Sequence, residues 1–268
     1  MPTPPALAHV QRTLITRNAA SNGTRAIPEE TAVSFTYGGA TFAVMMATPQ
    51  DIEDFAIGFS LTEGIVDNAS EITSVEIVPH EQGIEARMML NRPRDDELQS
   101  RRRRLAGPGG CGLCGIESLD AAIRAPRKVD ANLHVNPETI FSALASLRER
   151  QGLNAATHAV HAAGFWSVTE GRLVALREDV GRHNALDKLA GALEREGIDP
   201  SGGFIALSSR LSIELVQKAA SIGCPMLVAV SAPTNYALRA AKSAGMTLVA
   251  IARDDSFEIF THPQRITT

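Results

Sequence analysis

Residues 31–46 alternate loosely between apolar and polar positions around Gly38-Gly39, the pattern of a β-hairpin. Pro49-Gln50-Asp51 then opens a helix, with Ile52, Phe55, Ala56, Phe59 and Leu61 on one apolar stripe and Gly64 to close it. Residues 75–78 and 84–90 predict two more strands about Gln82-Gly83. These elements form a small α+β domain over 31–100. The residues before it, 1–30, hold Pro2, Pro4, Pro5 and Ser21-Asn22-Gly23 and suggest a flexible lead.

The periodicity is clearer in the second half. A helix is predicted over 137–151, with Ile140, Leu144 and Leu147 on one face. Strands 161–168 and 172–177 flank a turn at Glu170-Gly171, and a helix over 184–196 buries Leu186, Leu189, Ala190 and Leu193. Strands 203–207, 226–230 and 247–252 then alternate with helices 211–222 and 234–244, and Gly223 and Gly245 stand where helix C-caps belong. Single helices between strands imply parallel βαβ units with right-handed crossovers. The fold class is therefore α/β, with a three-layer domain and one mixed sheet over 136–268, plus the smaller α+β domain. Residues 101–135 fit neither pattern and form an Arg/Gly-rich loop and linker.

Composition adds constraints. The chain has 268 residues, 44% hydrophobic and 21% charged, as expected of a soluble globular protein. A net charge of −4 gives no basic footprint for nucleic acid. The first thirty residues show no signal-peptide core, and no apolar run approaches the ~20 residues of a membrane helix. The expectation is a cytoplasmic protein without a membrane partner. In that reducing compartment, three cysteines suggest metal, redox or sulfur chemistry more than a disulfide framework.

Two regions carry candidate chemistry. In open α/β sheets ligands bind outside the carboxyl ends of the strands. Here those ends lead into Glu178-Asp179-Val180-Gly181-Arg182-His183-Asn184, Ser208-Ser209-Arg210, Ser231-Ala232-Pro233-Thr234-Asn235 and Arg253-Asp254-Asp255-Ser256. Helix N-termini, short hydroxyls and the guanidinium forks of Arg182, Arg210 and Arg253 suit a phosphate-rich ligand. Helix capping by Ser208, Ser209 and Asn184 is the bland alternative for any one segment. Asp254 or Asp255 offers an acceptor for a base or ribose. No glycine pattern matches a P-loop or dinucleotide fingerprint.

The second region is Gly109-Gly110-Cys111-Gly112-Leu113-Cys114-Gly115, preceded by the run Arg101 to Arg104. Flanking glycines keep bulk from the sulfurs, and cations favour the reactive thiolate. Sulfur relay, structural zinc, thioredoxin-like exchange and a purely structural pair all use such a motif. Zinc requires two further ligands, from Cys224 or from His158 and His161. Thioredoxin-like exchange calls for a strand-to-helix junction, and glycine on every side argues against a structural pair. Cys224, ahead of an apolar strand, fits a small core residue. A zinc deaminase needs His-x-Glu before Pro-Cys-x-x-Cys, whereas this chain has His161-Ala162-Ala163, and its CxxC comes earlier.

From about Thr31 onward the chain resembles the FdhD family, sulfur carriers required for formate dehydrogenase activity. The resemblance rests on Thr48-Pro49-Gln50-Asp51, Gly58-Phe59-Ser60-Leu61-Thr62-Glu63-Gly64-Ile65, the CxxC motif, His161-Ala162-Ala163 and the 177–188 block, Arg177-Glu178-Asp179-Val180-Gly181-Arg182-His183-Asn184-Ala185-Leu186-Asp187-Lys188. The 209–218 segment, Ser231-Ala232-Pro233-Thr234 and Thr261-His262-Pro263 complete it. It departs where Ser208-Ser209-Arg210 replaces the family's usual Ser-Gly-Arg, and at Glu258, where an Asn is common.

The resemblance implies a cytidine-deaminase-like C-terminal domain without deaminase chemistry. It implies a sulfurtransferase in which Cys111 carries a persulfide received from a cysteine desulfurase and Cys114 assists. The sulfur would pass to molybdenum bis(molybdopterin guanine dinucleotide), bound as substrate with no permanent cofactor, before insertion into formate dehydrogenase. The family's cofactor segment falls on Ile251, Ala252, Arg253, Asp254, Asp255 and Ser256, and the edge residues Arg182, His183, Ser209, Arg210, Ser231 and Thr234 join it. A homodimer is the expected assembly. A non-catalytic molybdenum-cofactor chaperone and a zinc-stabilised interaction module are the alternatives.

Overall fold

The apolar stripes resolve into twelve strands and six α-helices among residues 2–91 and 125–267, the residues described by a computed structural model. Cys111, Cys114 and Arg101 to Arg104 lie outside them.

The chain begins with a two-stranded antiparallel ribbon, β1 (Leu7–Ile15) and β2 (Ala20–Pro28). The flexible lead expected over 1–30 is corrected here. The Ser21-Asn22-Gly23 signal lies inside β2, while the turn is made at Thr16–Ala19. There the Thr16 amide donates to Ala19 O at 2.8 Å, and the Thr16 hydroxyl accepts from the Asn18 and Ala19 amides.

Strands β3 (Thr31–Tyr37), β4 (Ala40–Ala47), β5 (Ile72–His80) and β6 (Gly83–Leu90) form a sheet in the order β4-β3-β6-β5. Helix α1 (Ile52–Thr62) covers it. Phe59 stacks on Phe35 with centroids 4.2 Å apart, and Phe55 meets Phe35 edge-on at 4.9 Å. Each of these buried rings supplies about 1.5–3 kcal/mol of transfer free energy.

Six further strands build the larger sheet: β7 (His161–Ser167), β8 (Arg172–Asp179), β9 (Gly203–Leu207), β10 (Met226–Ala229), β11 (Thr247–Ala250) and β12 (Glu258–Thr261), in the order β8-β7-β9-β10-β11-β12. The inner strands β9, β10 and β11 are parallel and wholly buried. Covered on both faces, they need apolar side chains at every position, so their sequences are continuous apolar runs. Helices α4 (Arg182–Arg195), α5 (Ile213–Ser221) and α6 (Asn235–Ala244) pack on one face through Leu186, Leu189, Val216 and Ala241. Helix α2 (Pro137–Arg150) covers the other through Ile140, Ala143 and Leu144. This is the expected three-layer mixed α/β arrangement. A short helix not foreseen, α3 (Gly152–Thr157), is only six residues long, too short to show an apolar period.

The two larger units meet where α1 crosses α4. A Cβ at Gly58 would stand 1.7 Å from Asp187 O, and one at Gly191 1.9 Å from Asp54 O. Only two bare backbones fit at that crossing.

Charged residues surround it. Lys188 and Asp179, both wholly buried, pair at 2.6 Å. Lys188 also donates to Thr48 O at 2.8 Å, and the Thr48 amide donates to Asp179 at 3.0 Å. Lys218 reaches Asp187 at 2.9 Å and Glu63 at 2.6 Å, while the Thr62 hydroxyl donates to Asp187 at 2.6 Å. Asp54 takes Arg177 at 2.7 Å and Arg195 at 2.6 Å. Burial disfavours charge on Lys188, partly offset by Asp179, and its pKa is lowered. On Lys218 burial is outweighed by Asp187 and Glu63, and the pKa is raised.

Candidate functional site at the carboxyl edge of the large sheet

Strand β8 runs antiparallel to β7, and β7 antiparallel to β9, so β8, β9, β10 and β11 all point the same way. Their carboxyl ends share one edge, and all four predicted loops emerge there. Four strand spacings separate β8 from β11, roughly 19 Å at ~4.8 Å each.

The loop after β8 divides between structure and site. Glu178 accepts from the Leu153 and Asn154 amides, both at 2.8 Å, and so caps α3. Asp179 is held by Lys188 and accepts from the Gly181 amide at 2.8 Å and Asn184 Nδ2 at 2.9 Å. Neither carboxylate remains for a ligand. Asn184 also donates to Met46 O at 2.8 Å. A Cβ at Gly181 would lie 2.7 Å from Asn184 Nδ2 and press on the amide that bonds Met46 O and Asp179.

Arg182 and His183 remain at the edge. Helix α4 starts at Arg182 with no side-chain cap, so its first amides and its dipole favour an anion. Arg182 Nε is buried without a hydrogen-bond partner. Beside it, His161 has its pKa lowered by burial and by the charges of Arg182 and His183. His183 Nε2 stands 3.5 Å from Ser212 Oγ and 3.8 Å from Glu214 Oε2. Burial alone would raise the Glu214 pKa. The His183 and Ser212 side chains and the backbone amide of Glu214 itself outweigh burial and lower the pKa to about 2.

Glu214 and Ser212 were not among the predicted site residues. Their signal was the start of α5, which brings its first turn to the same edge as the end of β9. That helix begins at Ile213, two residues later than expected, because Ser212 is extended.

The other candidates are held more tightly. Ser209 is buried and its hydroxyl donates to Arg210 O at 3.3 Å, while Arg210 is exposed. Ser208 Oγ accepts from the Ala162 amide at 2.8 Å, tying the β9 loop to β7. Thr234 caps α6 by accepting from the Ala237 amide at 3.2 Å. Half-buried Ser231 uses its carbonyl to accept from the Ile251 amide at 3.2 Å.

Strand β11 ends at Ala250, short of the expected 252, because Ile251 turns to φ 53. In the following segment Ala252 is buried, while Arg253, Asp254, Asp255 and Ser256 are exposed. Arg253 donates to Ala252 O and Val230 O, and Asp254 pairs with Arg148 of α2. That pair lowers the Asp254 pKa. Arg253 and Asp254 line a cavity of about 500 Å³ with Phe141, Ser142, Ala145, Arg148 and Glu149. The edge thus offers uncapped amides and the buried, partnerless Nε of a half-buried Arg182 at β8, and a cavity at β11.

Cys224 lies at the other edge, just before β10. It is fully buried, donates to Met226 O, and has its thiol pushed up to about 12, chiefly by burial. His161 begins β7 at the carboxyl edge, so Cys224 and His161 do not share one zinc tetrahedron. Among the described residues no group of three His, Cys, Asp or Glu is arranged to hold a metal. Nor is any described helix long and apolar enough to cross a membrane.

Comparison with known proteins agrees with this architecture. A solved structure from Desulfotalea psychrophila, proposed as a formate dehydrogenase accessory protein, matches with a TM-score of 0.76 at 25% identity. The match covers 98% of this chain and 100% of that one. Sulfur carrier protein FdhD of Agrobacterium fabrum is 52% identical over 258 residues, 96% of this chain and 95% of that protein. The protein of the same description from Brucella abortus is 51% identical over 243 residues, 90% of each chain. The description of the FdhD/NarQ family matches residues 28–267. Taken with the strand order and the motif blocks, these matches place the chain in the FdhD/NarQ family.

Proposed function

We propose that this chain is a sulfur carrier that takes sulfur as a persulfide on Cys111 from a cysteine desulfurase. It passes the sulfur to molybdenum bis(molybdopterin guanine dinucleotide) for formate dehydrogenase maturation. The observation that carries the reading is the 52% identity, over nearly the whole chain, to a protein described as a sulfur carrier. The chemistry of the thiols supports it. Cys224 is sealed in the core with its thiol at about 12, so carriage falls to Cys111 and Cys114.

Loading is a thiol exchange. The Cys111 thiolate attacks the outer sulfur of the desulfurase persulfide, and the desulfurase cysteine leaves as thiolate. For delivery, the Cys114 thiolate attacks Cys111 Sγ. The outer sulfur leaves as hydrosulfide, and the two cysteines are left as a disulfide for a thiol reductant to reopen. The polyphosphate substrate docks along the carboxyl edge. The α4 N-terminus and the partnerless Arg182 Nε suit its phosphates, because a shielded N–H left without a partner gains from a bound anion.

The test is mass spectrometry after incubation with a cysteine desulfurase and cysteine. The peptide holding Cys111 and Cys114 is expected to gain the mass of one sulfur. An unmodified peptide, while a control acceptor is loaded, overturns the reading. Cys111→Ala separates a carrier from a cofactor-presenting chaperone, because only the carrier loses formate dehydrogenase activation. Titration with GDP as a cofactor fragment is expected to perturb the 181–183 and 251–256 loops.

A further inference from the structure

The segments gathered at the amino end of β11 are basic, on a chain whose net charge is −4. Residues 125–131, 236–247 and 262–267 hold Arg127, Lys128, Arg239, Lys242 and Arg265 against one carboxylate, Asp130. Hydrogen bonds draw the three segments together. The Val129 amide donates to Ala244 O at 2.8 Å. Arg265, itself buried, donates to Gly245 O at 2.7 Å and to Ala131 O at 3.2 Å. His262 Nε2 stands 3.2 Å from Lys242 O. The lone carboxylate, Asp130, acts on Arg265. Arg127, Lys128, Arg239 and Lys242 stay exposed, with no ion-pair partner among the described residues. Arg239 lies over the Tyr236 ring, 4.9 Å from its centroid.

Two ordinary explanations fall short. A helix C-terminus carries roughly half a negative charge, which one cation satisfies. Lys242, in the last turn of α6, is that cation, and the other three remain unexplained. Nor does the patch serve the anionic substrate proposed above. Helix α6 runs from the carboxyl end of β10 to the amino end of β11. Its last turn therefore lies at the edge opposite the α4 N-terminus and the 251–256 segment. A basic face that pairs with no carboxylate of its own chain is complementary to an acidic one elsewhere. Arg and Tyr are also enriched at protein interfaces.

We propose that Arg127, Lys128, Arg239 and Lys242 form the docking surface for an acidic face of the protein that donates the persulfide sulfur. This rests on the sulfur-carrier reading. Chain position selects that occupant. Thirteen residues join Cys114 to Arg127, a reach of at most about 45 Å when fully extended. A donor seated on the patch is thus tethered within reach of the thiols it must load. The charges act on encounter and affinity, and the exchange of sulfur between thiolates is unchanged.

The test uses the full-length chain as acceptor, at varied concentration, with a fixed cysteine desulfurase and excess cysteine. Persulfide on the Cys111–Cys114 peptide is read by mass spectrometry. R127E/K128E/K242E is expected to raise KM at least about tenfold at low salt, with kcat within about twofold of wild type. The difference is expected to shrink as salt rises. The neutral R127Q/K128Q/K242Q variant should fall between. Glutathione persulfide, a small donor that needs no docking, is expected to load wild type and variants at one rate. That equality shows that the variants fold. A KM moved less than about twofold overturns the proposal. So does an equal loss with the small donor, which would make the patch structural. Anionic lipid vesicles that bind wild type, with desulfurase loading unmoved by charge reversal, overturn it in favour of a membrane. A wild type loaded by neither donor overturns the sulfur-carrier reading itself, a result distinct from these.

Discussion

Gly58→Ala tests whether the α1–α4 crossing holds the two larger units together. The added Cβ would meet Asp187 O at 1.7 Å and the Gly191 amide nitrogen at 2.6 Å. Ordinary contact begins near 3.4 Å, so the helices must part by about 1.7 Å or tilt. That displacement pulls on contacts worth more than the methyl itself. Thr62 to Asp187 at 2.6 Å and Asp54 to Arg195 at 2.6 Å both span the same crossing. Overpacking costs about 1–3 kcal/mol. Weakening one charge-assisted hydrogen bond adds about 1.5–3, and alanine's better helix propensity returns about 0.8–1. The expected net loss is about 1.5–5 kcal/mol, measured as a lower midpoint of urea unfolding. Gly191→Ala should behave alike. The double variant should lose less than the sum, because one separation clears both methyls. Gly152→Ala, with nothing within 4 Å, is the control and should shift stability by no more than about 0.5 kcal/mol. A Gly58→Ala midpoint equal to wild type would refute the reasoning, since it would mean the helices part freely.

Three more outcomes follow from buried charge. Lys188→Met leaves Asp179 buried without its cation and should cost about 3–5 kcal/mol in urea unfolding, whereas Asp179→Asn with Lys188→Met should cost less. Glu214 has its folded pKa depressed from 4.5 to about 2, so its contribution is fully present above pH 4.5 and is lost as pH falls toward 2. Glu214→Gln should therefore flatten the fall in unfolding free energy across that window, and an unchanged slope would contradict the assigned contacts. A thiol-alkylating reagent should modify native protein at the Cys111–Cys114 peptide and leave Cys224 unlabelled until the chain unfolds, because that thiol is buried and sits at about 12.

The parts legible in the sequence were those where burial imposes a period. The stripe Ile52, Phe55, Ala56, Phe59 predicted α1, and the apolar runs at 203–207 and 226–230 predicted strands buried on both faces. The edge loops were legible from chain direction alone, since parallel strands must deliver their ends to one side. Other features depended on partners distant in sequence. Nothing near Glu178 marks it as the cap of α3, twenty-four residues earlier. The ribbon over 7–28 lacks a glycine at its turn, and its side chains are mostly exposed, so alternation was faint.

The 177–188 block shows why motif density and ligand contact differ. Its charged residues suggested a binding loop, yet Arg177, Glu178, Asp179, Asp187 and Lys188 are all engaged in joining the domains or capping a helix. Only Arg182 and His183 face the edge, at the point where α4 begins without a side-chain cap. The same helix therefore carries the anion-favouring terminus at one end and the glycine crossing to α1 farther along. A ligand that draws on the α4 N-terminus pulls on the helix that fixes the small domain. The small domain's last strand, β6, ends at Leu90. Occupancy of the edge and the α1–α4 crossing thus draw on one helix. Gly58→Ala should then alter GDP affinity as well as stability, whereas a site independent of the crossing would leave affinity unchanged.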